Sequence, residues 1–151
     1  MKLTILSGIL VVFLLPFPAA ASLGGDVTSV QADVARMQAT LQTSSTDSYT
    51  IHDMQAPTGV DVKEYVSNAG KVFAVTWKGP VHPDLQQLLG PYFQQFVQAE
   101  QAERKQRHGH GPVVIQQPGL VVQISGHMRS FYGRAYVPQM LPAGVQAEEI
   151  R

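Results

Sequence analysis

The sequence predicts an α+β fold, in which an antiparallel sheet of about six strands in two meanders carries two helices packed on one face. A stripe of apolar residues at helical spacing precedes each meander, so the predicted order is α-β-β-β-α-β-β-β. Short strand-like runs joined by tight turns form two groups of three. They are residues 49–55, 60–67 and 71–78, then 113–117, 120–125 and 129–137.

The first helix is predicted from Asp26, a good N-cap residue, and from the apolar residues that follow it three or four positions apart. These are Val27, Val30, Val34, Met37 and Leu41. The polar residues 43–48 then predict a loop.

Two of the strand-like runs differ in their pattern. In residues 60–67 valines alternate with Asp61, Lys63 and Tyr65, which is typical of a strand with one solvated face. Residues 71–78 are apolar on both faces, which predicts a central strand, and Trp77 at its end is interpreted as a core anchor.

The second helix is predicted from the broad apolar face of residues 85–97, with Pro83 at its first position. Gly90 and Pro91 lie inside this pattern and should kink or split the helix, because proline lacks the backbone donor. After the last strand, residues 144–151 are interpreted as a surface tail with at most one helical turn.

Length and composition exclude several classes of protein. A chain of 151 residues favours a single domain. It contains no cysteine, which excludes a disulfide scaffold, cysteine-ligated metals and thiol catalysis. The 11 basic and 11 acidic side chains leave no excess of positive charge for a nucleic acid, and no cofactor is predicted.

The first 21 residues predict a cleavable secretory signal peptide. Lys2 precedes an apolar run that is too short to cross a bilayer, and the run ends in prolines and an A-x-A signature. We expect cleavage between Ala21 and Ser22, which leaves a single domain of residues 22–151 without a transmembrane segment; an uncleaved N-terminal anchor is the alternative. Export without cysteine favours a bacterial periplasm or the extracellular space.

Several unusual strings occur along the whole predicted mature chain. Examples are LGGD at 23–26, VFAVTWKGP at 72–80, LGPYF at 89–93 and GHMR at 126–129, followed by GRAYVP at 133–138. Together they resemble an exported proteobacterial family catalogued only as a domain of unknown function. The resemblance implies location and class, and it carries no established activity, cofactor or catalytic residue.

Two histidines form the nearest approach to a metal site. His108 and His110 lie one residue apart in a glycine-rich loop, where two imidazoles can chelate a divalent ion. A complete site needs three or four ligands, so other histidines would have to converge on the pair; otherwise the segment is a solvated helix end.

The last predicted strand and the turn before it carry the candidate binding residues. Tyr132, Arg134 and Tyr136 alternate onto one face, where a guanidinium between two phenols could hold a carboxylate, a sugar or a partner chain. Ordinary cross-strand pairing explains the same pattern. His127 and Arg129 in the preceding turn could form a small-ligand or catalytic site if His52 or Asp53 joined them.

No catalytic motif is found, so no catalytic residue is assigned. The sequence therefore favours a non-enzymatic exported module that binds another envelope or secreted protein through an uncovered sheet face or an open edge strand. A small-ligand or metal-binding protein, or an enzyme with a site near His127 and Arg129, is the alternative.

Overall fold

The computed structural model describes residues 23–106 and 111–151. Three α-helices are α1 (Val30–Met37), α2 (Leu85–Leu89) and α3 (Phe93–Gln106). Seven strands are β1 (Thr40–Ser45), β2 (Tyr49–Gln55), β3 (Asp61–Ser67), β4 (Val72–Gly79), β5 (Val113–Gln117), β6 (Leu120–His127) and β7 (Ser130–Tyr136).

All seven strands form one antiparallel sheet in the order β1-β2-β3-β4-β7-β6-β5. The first meander runs from β1 to β4 and the second from β5 to β7, and they meet where β4 pairs with β7. This arrangement confirms the predicted α+β class and the central position of β4. The sheet has seven strands where about six were predicted.

The additional strand is β1, in a region that was predicted as the end of a helix and a loop. Helix α1 ends at Met37 because Gln38 adopts a left-handed conformation, with φ 51°. Leu41 therefore lies in β1 and not on the helix. The strand is polar and exposed along most of its length, so its sequence lacks the alternation that identifies a half-buried strand.

The second predicted helix is split at Gly90 and Pro91, as expected, into α2, a short 3₁₀ turn and α3. The prediction of Pro83 at the first helical position was wrong. Asp84 is the N-cap instead, since its backbone is extended and its Oδ1 accepts a hydrogen bond from the Gln87 N–H at 3.1 Å.

The helices pack on one face of the sheet, which we call the helix face. Apolar side chains from α1, α2 and α3 meet those of the strands there in the larger of two buried clusters. Trp77 belongs to this cluster and is 2% exposed, which confirms its assignment as a core anchor. The opposite face, the second face, carries a smaller cluster that includes Tyr49, Tyr65 and Phe73.

A C-terminal segment, residues 138–151, covers this smaller cluster, and we call it the C-terminal strap. Ile150 is buried against the two tyrosines and the phenylalanine. The Tyr65 hydroxyl donates to the Arg151 carbonyl at 2.7 Å and accepts from the Arg151 N–H at 3.1 Å. Residues 144–151 contain a single 3₁₀ turn, as predicted, but they are not only a surface tail, because Ile150 is buried and the strap covers part of the second face.

Candidate functional site

Arg134 fixes the strap to the sheet. Its Nη1 donates to the carbonyl oxygens of Ala147 at 2.6 Å and Ile150 at 3.2 Å, and its Nε donates to Gln123 Oε1 at 2.8 Å. Its guanidinium also lies 5.9 Å from the centre of the Tyr136 ring. Two of the three guanidinium nitrogens are thus occupied by the protein itself, which makes Arg134 a structural link as well as a surface cation.

The other half of the second face is open and forms a cavity of about 1030 Å³, which we call the sheet groove. It crosses the sheet from β2 to β5 and ends at the last residues of the strap. The charged and polar residues that line it are Asp53, Asp61, Lys63, Thr76, Lys78, Gln123, Ser125, Ser130, Tyr132, Arg134 and Arg151.

The strand register fixes how these side chains are arranged. Lys63, Thr76 and Arg134 lie directly opposite one another on β3, β4 and β7. Lys78 lies two residues beyond Thr76 on the same face and opposite Tyr132. The groove therefore gathers three cations around Thr76, and a carboxyl residue lies directly opposite each of the two lysines.

The two lysines in the groove have no anionic partner. Asp53 lies opposite Lys63 in the register and Asp61 lies opposite Lys78. Within residues 23–106 and 111–151, however, no carboxylate comes within 4.0 Å of either ammonium group. Asp53 and Asp61 line the same groove and lower its positive charge, but neither forms an ion pair with a lysine.

The predicted strip of Tyr132, Arg134 and Tyr136 lies on the second face, but the strap divides it. Tyr136 packs in the covered half and Arg134 holds the strap. Tyr132 is 54% exposed and lines the open groove. Tyr132 is the most exposed of these three residues, and their role in binding stays a prediction.

His127 and Arg129 are not brought together with His52 or Asp53. His127 ends β6 and Arg129 lies in the turn to β7, whereas β2 is separated from β6 by three strands. His52 and Asp53 themselves point to opposite faces of the sheet, because adjacent residues in a strand alternate. The geometry thus forms no single pocket from these four side chains.

His127 instead lines a second cavity of about 700 Å³ between α3 and the β6–β7 hairpin, which adjoins the sheet groove and shares Tyr132 with it. Phe131 and His82 are also present there, with ring centres 4.1 Å apart. Among the described residues no group of three potential metal ligands is found. His108, His110 and the predicted cleavage site at Ala21 and Ser22 lie outside the described residues.

The structure contains a buried pair of carboxyl groups that the sequence did not predict. Asp33 on α1 and Glu64 on β3 are both 0% exposed. Asp33 Oδ1 accepts a hydrogen bond from Gln87 Nε2 at 2.6 Å, and the Arg36 guanidinium lies 3.7 Å away. No described donor faces either oxygen of Glu64, so its carboxyl group needs a proton of its own to bond with Asp33.

Burial raises the pKa of Glu64 to about 8, and the negative charge of Asp33 adds to that effect. Burial also raises the pKa of Asp33, partly offset by its hydrogen bonds. His52, opposite Glu64 on β2, has its pKa lowered by burial. Neither carboxyl lines the sheet groove or the cavity at His127.

The alternating pattern of β3 in the sequence could have identified Glu64 as a buried carboxyl group. Val62 and Val66 point to the helix face, and Glu64 occupies the inward position between them. A carboxyl group at such a position is rare unless it is paired. Asp33 gave no comparable signal, because it occupies an ordinary polar position of a short helix.

The fold and the groove define a small α+β protein with a seven-stranded antiparallel sheet, one face of which is half open. No helix among residues 23–106 and 111–151 is long and apolar enough to cross a membrane. The chain belongs to the family described as "Protein of unknown function (DUF2844)", whose family model matches residues 19–150. Searches of curated proteins and of solved structures find no match.

Proposed function

We propose that this protein is an exported, non-enzymatic binding module of the bacterial cell envelope, and that the sheet groove is the surface that meets its partner. The observation that carries the proposal is the open half of the second face, with its cavity of about 1030 Å³. Binding sites are commonly concave, with few, well-placed polar groups among apolar ones.

The chemistry of the groove supports binding. Tyr132 offers an exposed aromatic ring, and Lys63 and Lys78 are charged side chains that form no ion pair among the described residues. Tyrosine is enriched in interfaces, because its ring buries apolar surface while its hydroxyl forms hydrogen bonds. The groove therefore offers a partner both apolar contact area and directional hydrogen bonds.

Export is supported by the sequence of residues 1–21, with its cation, short apolar run and A-x-A signature. The test is to express the full chain in a bacterial host, fractionate the cells and determine the N-terminus by mass spectrometry. We expect the protein outside the cytoplasm, with Ser22 as its first residue. A cytoplasmic chain that still begins at Met1 would contradict export.

A photo-crosslinking amino acid at position 132 tests the binding role in living cells. We expect a discrete crosslinked product from this position and none from the exposed Gln98 on α3, which serves as the matched control. Tyr132 is chosen because Arg134 and Tyr136 support the strap, and their replacement would disturb folding. Equal or absent crosslinking at both positions would contradict the proposal.

The small-ligand alternative is favoured by one observation, the unpaired lysines of the groove, and its chemistry is developed below. An enzyme site at His127 and Arg129 receives no such support, because His52 and Asp53 do not reach them. Metal binding by His108 and His110 stays a prediction. A rise in melting temperature with Zn²⁺, lost when both histidines are replaced, would test it.

A further inference from the structure

The centre of the sheet groove is a threonine surrounded by three cationic side chains. Lys63 and Arg134 flank Thr76 on the neighbouring strands, each about 5 Å away along the hydrogen-bonding direction. Lys78 is two residues, or about 7 Å, further along β4. Flexible lysine side chains can reach that far, so all three cations can meet above Thr76.

The positive charge at this point is compensated only in part by the protein, because Asp53 and Asp61 line the same groove. Asp53 lies opposite Lys63, and Asp61 lies opposite Lys78 and two residues from Lys63 on the same face of β3, but among the described residues neither forms an ion pair with a lysine. Arg134 uses Nε and Nη1 within the protein, and its Nη2 has no hydrogen-bond partner among the described residues.

Apolar and uncharged polar residues line the groove on the side away from the lysines. From Arg134 the same cross-strand row continues through Gln123 on β6 to Val114 on β5. Val114 is 47% exposed, although it is apolar. Thr76 and Val114 are three strand spacings apart, or about 14 Å. Ile150 of the strap also lines the groove.

We propose that the sheet groove binds a small amphiphilic anion, with an oxyanion head over Thr76 and an apolar body extending toward Val114. The head is a carboxylate, sulfate or phosphate, held by Lys63, Lys78 and the free nitrogen of Arg134. Charged hydrogen bonds fix the head, and burial of the apolar body adds affinity. The inference rests on the groove of the proposed function and names its ligand class.

Titration calorimetry with the chain of residues 22–151 tests the inference. The probes are octanoate, octyl sulfate and octyl phosphate, with octanamide as the neutral analogue and inorganic phosphate as the head alone. We expect the octyl anions to bind and octanamide and inorganic phosphate to bind at least about tenfold more weakly, since a charged hydrogen bond contributes about 1.5–3 kcal/mol. A preference among the octyl anions identifies the head group.

Variants then locate the site. Lys63→Met and Lys78→Met keep the apolar stem and remove the charge, and each should weaken octyl anion binding by about tenfold or more. Lys105→Met on α3 makes the same change away from the groove and should leave binding unchanged. Unchanged melting temperatures would show that the variants remain folded.

Three results would overturn the inference: no binding of any octyl anion, equal binding of octanamide, or binding that survives both lysine replacements. These results are distinguishable from failure of the proposed function. If position 132 crosslinks to a partner while the octyl anions do not bind, the groove is a binding surface for a different class of ligand. If the anions bind without any crosslink, the ligand class stands and the partner role does not.

Discussion

Replacing Glu64 by glutamine removes the ionisable group from the buried pair that it forms with Asp33. The amide has nearly the same shape and can still donate a hydrogen bond to the Asp33 carboxylate. The substitution therefore tests the charge of Glu64 with little change in packing. It should stabilise the protein at neutral and alkaline pH, although it replaces a fully buried residue.

The size of the effect follows from the change in the pKa of Glu64 on folding. A free glutamate side chain has a pKa of 4.5, whereas the pKa of Glu64 in the folded protein is about 8. Between these values the folded state keeps a proton that the unfolded state loses, so the free energy of unfolding falls by about 1.4 kcal/mol per pH unit. The loss is about 3 kcal/mol at pH 7 and levels off at about 5 kcal/mol above pH 8.

Urea unfolding of the wild type and Glu64→Gln at intervals from pH 5 to pH 9 measures this difference directly. We expect nearly equal stabilities at pH 5 and a growing advantage of the variant up to about pH 8. Glu103→Gln on α3 makes the same charge change at an exposed position and should stay within about 0.5 kcal/mol of the wild type. Parallel curves for the wild type and Glu64→Gln would refute the reasoning.

Three further predictions concern the sheet and the strap. Met128 and Arg129 form the β6–β7 turn at φ 48° and 66°, so replacing them by Asn and Gly should stabilise the fold by about 1–2 kcal/mol and raise the melting temperature; an unchanged or lower value would contradict this. Gly133→Ala should destabilise strongly, because the new Cβ would lie 2.3 Å from the indole ring, whereas Gly144→Ala, with no atom within 4 Å, should cost only about 1 kcal/mol for its positive φ; equal melting temperatures would count against the packing argument. Tyr65→Phe should lower the free energy of unfolding by about 1–3 kcal/mol through loss of both bonds to the strap, and a urea transition identical to that of the wild type would argue that these bonds contribute nothing.

The strands could be predicted where one face is buried and where short turns join them, because both features leave a local pattern in the sequence. The alternation of residues 60–67 and the glycine turns at Gly59, Gly70 and Gly119, all with positive φ, gave strand positions close to those observed. Strand β1 was not predictable in this way. It is an edge strand with little buried surface, and pairing with β2 alone defines it.

The shape of the candidate site depends on contacts between residues that are far apart in sequence. The period of two placed Tyr132, Arg134 and Tyr136 on one face, but it could not show that the strap covers part of that face. Ile150 has no apolar periodicity around it, and Tyr65, to which the strap bonds, is 86 residues from Arg151. Whether such a segment covers a sheet face is decided by tertiary contacts, which local sequence patterns do not show.

The junction of β4 with β7 also has a consequence for the order of folding. Every other strand pairing joins consecutive strands through a short connection, so each meander can form through local contacts. Only the β4–β7 pairing must close a loop that includes α2, α3 and two strands. Because closing that loop costs conformational entropy, we expect the β4–β7 pairing to form late in folding. Until it forms, each meander has an unpaired inner edge strand that is vulnerable to aggregation.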